Sequence, residues 1–314
     1  MKRGKASSIK RLIWVLVFLT ATMFILAGCG TQNAFRDKDK LHVTATIGMI
    51  SDVVKEVGGE QVEVVGLMGP GVDPHLYKAS QGDISKLEHA EIIFYGGLHL
   101  EGKMTEIFEK MSHKKTVVAV TKNIPEQRLR LVADGTHDPH VWFNVQLWMS
   151  ATETIRDTLI EKDPEHQDDY RARAEAYLTK LEELDQYAKT QIATIPKQGR
   201  VLVTAHDAFG YFGDAYDIEV VGLQGISTAA EYGSKDVTGL RDMLVERGIK
   251  AVFVESSVPK KSIEAVIEGA KKKGHEIKIG GELFSDAMGK AGTVEGTYIG
   301  MVRHNVDTIV DALK

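Results

Sequence analysis

The chain has 314 residues, enough for about two domains of ordinary size. Its 39 Lys and Arg are outweighed by 44 Asp and Glu, a formal net charge of −5, which is not the basic balance that nucleic-acid binding requires. A single cysteine excludes an internal disulfide scaffold and any paired-cysteine zinc or redox site.

That cysteine closes an N-terminal segment with its own pattern. Lys2, Arg3, Lys5, Lys10 and Arg11 precede an uncharged run from Leu12 to Gly28, strongly apolar from Leu12 to Leu26. As a helix the apolar part reaches roughly 22 Å, short of the ~30 Å hydrocarbon core. A basic start followed by a short apolar run is the pattern of an export signal, with a single anchoring helix as the blander alternative. Leu26-Ala27-Gly28-Cys29 resembles the bacterial lipobox. That resemblance implies removal of residues 1–28, lipidation of Cys29 and a location on the extracytoplasmic face of the cell membrane. Losing five positive charges and no negative ones takes the net charge from −5 to about −10, and an acidic surface favours cations. Residues 29–40 are polar without apolar period and are expected to form a tether.

From Leu41 onward short apolar runs alternate with helical stretches. Strands are expected over 41–47, 62–67, 91–95 and 116–120, with helices such as 48–57 and 81–89 between them. The order recurs after residue 196, with strands over 200–204, 219–222, 250–254 and 276–279 and helices over 207–215, 235–247, 260–273 and 296–313. Such alternation predicts an α/β fold of two lobes, 41–163 and 196–314, each a roughly four-stranded parallel sheet flanked by helices. Between them, 164–195 is charged, free of glycine and apolar at every third or fourth position, including Tyr170, Ala174, Tyr177, Leu181, Leu184 and Ala188. Pro164 suits its first turn and Pro196 ends it. It is expected to be one long helix bridging the lobes, the alternative being a helix packed wholly on one of them.

Ligand-type residues recur just after the strands, where open α/β sheets collect their binding groups. His75 lies in the Gly- and Pro-rich loop Gly69–Tyr77, His140 in His137–Trp142, His206 at the end of the strand beginning at 200, and Asp286 a short loop beyond 276–279. Asp73-Pro74-His75 recurs as Asp138-Pro139-His140. Each histidine alone would more often be structural, and Asp138 and Asp207 read equally well as helix caps. His137 is a further candidate. As a set, three imidazoles and one carboxylate, two residues from each lobe, form a four-membered shell for a divalent transition metal.

Over nearly the whole exported part the sequence resembles the metal-specific solute-binding lipoproteins of bacterial ABC importers, the manganese/zinc class of TroA type. The resemblance is carried by Gly71–Ser80 (GVDPHLYKAS), Gly97–Met104 (GLHLEGKM), Asp138–Phe143 (DPHVWF), Val201–Phe212 (VLVTAHDAFGYF), Gly222–Thr228 (GLQGIST), Phe253–Pro259 (FVESSVP) and Gly280–Gly300 (GGELFSDAMGKAGTVEGTYIG). It implies two lobes joined by one long helix, with metal buried between them on His75, His140, His206 and Asp286. It also implies a membrane permease as partner; a monomer is expected. Zinc-dedicated members carry a His-rich loop in the first lobe, and 120–137 has only His137. Many manganese-dedicated members have glutamate where this chain has His206. The pattern is nearest the three-histidine, one-aspartate subgroup, so Mn²⁺ is the expected cargo and Zn²⁺ the alternative. A dedicated zinc-uptake protein and a surface adhesin are the other readings. An exported metallohydrolase fits poorly: His275-Glu276 has no second histidine completing HExxH, and a catalytic zinc keeps an open position that a four-residue shell does not.

Overall fold

The computed structural model describes residues 35–314 apart from Ala133 and Asp134. Residues 1–34, with the expected export signal and Cys29, lie outside the described residues. Among the described residues no helix is long and apolar enough to cross a membrane.

The first half holds β1 (Leu41–Ala45), α1 (Gly48–Gly58), β2 (Val62–Gly66), α2 (Gln81–His89), β3 (Ile92–Tyr95), α3 (Thr105–Ser112) and β4 (Thr116–Ala119). The four strands form one parallel sheet in the order β2-β1-β3-β4. Their apolar runs are consecutive rather than alternating because helices cover both faces. Val43, Ile92, Ile93 and Phe94 are fully buried. The chain winds from β1 outward to β2, then returns past β1 to β3. That reversal opens a crevice at the carboxyl ends of the strands.

After α4 (Val145–Lys162) and α5 (Gln167–Ile192), the second half repeats the plan with β5 (Val201–His206), α6 (Gly210–Tyr216), β6 (Glu219–Gln224), α7 (Ser234–Arg247), β7 (Ala251–Glu255), α8 (Lys261–Lys271), β8 (Lys278–Leu283) and α9 (Tyr298–Leu313). All pairings are again parallel, but in two two-stranded sheets, β5-β6 and β7-β8, rather than the single four-stranded sheet expected. β5 and β7 lie side by side, with Val201, Val203, Val252 and Val254 in one core. At their carboxyl ends the Glu255 side chain takes the His206 amide at 2.9 Å, so that backbone donor is not available to a ladder. The β7–β8 pairing also shifts register between Val252 and Phe253.

Two expected boundaries move. β8 starts later than 276 and runs to Leu283, through Gly280 and Gly281, which fall in the loop expected beyond 279. Glycine is needed there because α9 packs hard on the strand: a Cβ at Gly280 would lie 2.8 Å from Ala312 Cβ and 2.8 Å from Phe253 Cε1. Residues 35–37, part of the expected tether 29–40, instead pack on the first half. Phe35 is buried and stacked on His42 at 4.4 Å, and the amides of Arg36 and Asp37 donate to Glu63 at 2.9 Å.

The long helix begins with a 3-10 turn at Pro164–His166 and continues as α5, 26 residues or about 39 Å. It packs on α1 and α4 along one stretch and on α6 and α9 along another. The buried face is Tyr170, Ala174, Tyr177, Leu181, Leu184, Ala188 and Ile192. Asp185 is buried on the same face and accepts from Gln146 Nε2 at 3.0 Å, Tyr216 Oη at 3.2 Å and Lys189 Nζ at 2.6 Å.

Candidate metal centre

Each side chain of the site is aimed by a local device. The loop after β2 makes an Asx turn, with Asp73 Oδ1 accepting from the His75 amide at 2.9 Å. Asp138 Oδ1 does the same for the His140 amide at 2.9 Å. The repeated Asp-Pro-His thus folds twice into one turn, proline fixing the backbone between the carboxylate and the histidine. His206 is the last residue of β5, held by the pairing of that strand with β6. Asp286 stands in the loop just beyond β8. Trp142 braces that loop, its indole donating to Ser285 O at 3.1 Å.

These devices bring His75, His140, His206 and Asp286 together in the interior. One ligand-type atom from each lies within 4.8 Å of all the others. Asp286 Oδ1 is 3.3 Å from His140 Nε2, and Oδ2 is 3.3 Å from His206 Nε2 and 3.9 Å from His75 Nε2. His75 Nε2 and His140 Nε2 are 3.2 Å apart. All four residues are buried. Both Asp286 oxygens and His206 Nε2 are shut off from solvent without a hydrogen-bond partner. Buried polar atoms are costly unless paired. A cation between them would satisfy all three.

The far sides of two imidazoles are fixed by carboxylates. Asp138 Oδ1 is 2.7 Å from His140 Nδ1, and Glu255 Oε2 is 2.5 Å from His206 Nδ1. Each contact directs Nε2 inward and makes the ring a stronger donor to metal. The electrostatics follow. For His140, burial works against the charged form, but Asp138 and Asp286 outweigh it and push the pKa up to about 9. For His206, burial is likewise outweighed, by Glu255 and Asp286, and its pKa moves well up. His75 has burial as its largest influence and falls to about 4, so it stays neutral at neutral pH. Asp286 is buried too, yet the three imidazoles hold its pKa well below the usual carboxylate range.

His137 does not join the cluster; it is half-exposed and its backbone bridges to Leu131. His99 is exposed, with a left-handed φ of 64°. Neither Asp138 nor Asp207 caps a helix: α4 is capped by the Asn144 side chain, α6 has no side-chain cap, and Asp138 serves His140 instead. Glu255 was not singled out from the sequence. Its signal is a lone carboxylate ending the apolar run Ala251–Glu255, buried with the strand.

The chain has relatives of similar sequence and fold. The manganese-binding lipoprotein MntA of Bacillus subtilis is 53% identical over 293 residues, 93% of this chain and 96% of that protein. The zinc-binding protein TroA of Treponema pallidum is 48% identical over 284 residues, 90% of this chain and 92% of that protein. The solved structure of the periplasmic zinc-binding protein TroA from Treponema pallidum superposes with a TM-score of 0.86, covering 87% of this chain and 99% of that one. Residues 43–312 match the family described as ZnuA, zinc-uptake complex component A, periplasmic, and the chain belongs to that family.

Proposed function

We propose that this chain is the extracytoplasmic metal-capture lipoprotein of an ABC importer. His75, His140, His206 and Asp286 hold one divalent ion, Mn²⁺ or Zn²⁺, as cargo, and the protein hands it to a membrane permease. Residues 41–163 and 196–314 act as two lobes on either side of that site, joined by 164–195. Cys29 carries the lipid that holds the monomer at the outer face of the cell membrane. The observation that carries the reading is the Asp286 carboxylate, buried with both oxygens unpartnered and faced by three imidazole nitrogens. Three nitrogens and a carboxylate suit first-row divalent metals. Four protein ligands leave no position reserved for a reacting water, so the site serves transport rather than catalysis.

The cargo follows from the donor set. With three imidazoles the site binds Zn²⁺ more tightly than Mn²⁺ in vitro, as the ordinary affinity order requires. Delivery favours Mn²⁺, because a more weakly held ion leaves faster for the permease. The relatives named for manganese and for zinc are both similar enough to support a site open to either ion. Calorimetric titration of both ions into wild type and His206→Glu tests this. A harder carboxylate at 206 is expected to lower the zinc-to-manganese affinity ratio. An unchanged ratio would show that residue 206 does not set the preference. Failure of the wild type to bind either ion would refute the function.

A further inference from the structure

The two Asp-Pro-His turns differ in one respect. Asp138 uses Oδ1 alone for its own histidine, both the His140 amide and the ring, while its buried Oδ2 makes no hydrogen bond and lies 3.9 Å from Arg130 Nε. Asp73 holds the His75 amide with Oδ1, but its Oδ2 accepts from the hydroxyl of Thr228 at 2.6 Å, 155 positions further along the chain. Thr228 belongs to the segment between β6 and α7, much of which is exposed. Gln224, the last residue of β6, fastens that segment: its Nε2 donates to Thr228 O at 2.7 Å and to Ala230 O at 2.6 Å. Gln224 is the register partner of His206, and its carbonyl accepts from the Asp207 amide at 3.0 Å.

A continuous path therefore runs from His206 through Gln224, Thr228 and Asp73 to His75. It ties a histidine of the second half to a histidine of the first without passing through the metal position. Among the described residues no carboxylate hydrogen-bonds the Nδ1 side of the His75 ring as Asp138 and Glu255 do for His140 and His206, so its placement leans on the Asp73 turn. We propose that residues 225–233 form a strap, with Thr228 and Gln224 as positioning residues that hold His75 against His206 and set the rate at which metal leaves. The inference rests on the metal-binding reading above. Release requires His75 and His206 to separate, and the Thr228–Asp73 bond must break for that to happen. A hydroxyl donating to a carboxylate is among the stronger single hydrogen bonds, and nothing in it depends on which ion is bound.

The test uses the full-length protein loaded with Zn²⁺ and a chelator chase followed by stopped flow. Thr228→Val keeps the shape of the side chain and removes the donor; Thr228→Ser keeps the donor. Thr228→Val is expected to release Zn²⁺ about ten- to a hundredfold faster, the range that one hydrogen bond to a charged group supplies. Its association rate is expected to stay within about threefold of wild type, since the change acts on the closed state. Thr228→Ser should release at close to the wild-type rate. Gln224→Leu, which frees the strap from β6, provides an independent variant and is expected to accelerate release as well. Release from Thr228→Val at the wild-type rate, or Thr228→Ser as fast as Thr228→Val, would overturn the proposal. The amount of Zn²⁺ bound by wild type is read before any rate, so a failure of metal binding itself is distinguished from a failure of the strap.

Discussion

At the metal centre, Asp138 and Glu255 each occupy the Nδ1 side of an imidazole, at 2.7 and 2.5 Å, and leave Nε2 facing Asp286. Glu255 also takes the His206 amide, so its two oxygens fix both the ring and the backbone of one residue. Glu255→Gln keeps one acceptor and replaces the other with an NH2 group, which faces either the His206 amide hydrogen or the Nδ1 hydrogen, a donor in both cases. It is expected to weaken Zn²⁺ binding by about 10- to 100-fold, the usual effect of losing such a supporting carboxylate. Titration calorimetry on the variant checks this, and an affinity equal to wild type would remove Glu255 from the site. The clustering of the three histidines and Asp286 was legible in the sequence because His75, His206 and Asp286 stand at or soon after strand ends, and because His140, far beyond β4, repeats the Asp-Pro-His triplet of His75. Glu255 was not, because a single acid after an apolar run reads equally well as the solvated end of a strand. Asp138 was visible only as a possible cap, since the distance from a carboxylate to a ring two residues on depends on backbone angles that spacing does not supply.

Among the elements, alternation of apolar runs and helical stretches was enough to read the parallel first sheet and most helices. It failed at β8, which it ended at 279, before Gly280-Gly281, whereas the strand runs on to Leu283. Gly280 is there for packing: Ala312 of α9 and the Phe253 ring of neighbouring β7 occupy the space that a Cβ would take. Gly280→Ala is therefore expected to destabilise the protein by about 1–3 kcal/mol through overpacking, unlike an ordinary Gly→Ala change. Denaturant unfolding measures it, and an unchanged or raised midpoint would show that α9 can shift at little cost. The split of the second set of strands into two pairs was also beyond the sequence. Four apolar runs give strand identity, but whether neighbouring backbones close a ladder depends on registers and on side chains such as Glu255 that intercept an amide. The long helix was legible in its apolar spacing. Its first turn, 3-10 rather than α, and the packing of α4 along it were not.

Across the whole molecule, metal binding and protonation oppose one another. In the metal-free protein the carboxylates outweigh burial and favour the protonated form of His140, whose pKa is pushed up to about 9, and of His206, whose pKa is also raised. A group whose pKa rises on folding stabilises fully below its unfolded value, here 6.5 for His140, and that contribution is lost as pH rises through about 9. With His140 and His206 as the proposed ligands, metal would displace these protons, so its affinity is expected to run the other way and grow from pH 6 towards pH 9. At a hundred times Kd, bound metal adds about 2.7 kcal/mol to stability. With total Zn²⁺ held constant, the rise in melting temperature is expected to be larger at pH 8 than at pH 6. An equal rise at both would mean that no proton leaves the cluster on binding.

The most direct measurement is metal content per chain after equilibrium dialysis against Zn²⁺ and Mn²⁺, for wild type and for His75→Ala, His140→Ala, His206→Ala and Asp286→Ala, with His113→Ala as a control. Wild type and the control are expected to retain one tightly held ion per chain. Each of the four variants, folded by circular dichroism, is expected to lose it or to hold it far more weakly. Full retention in any two of the four, or equal loss in the His113 control, would contradict a site built on these residues.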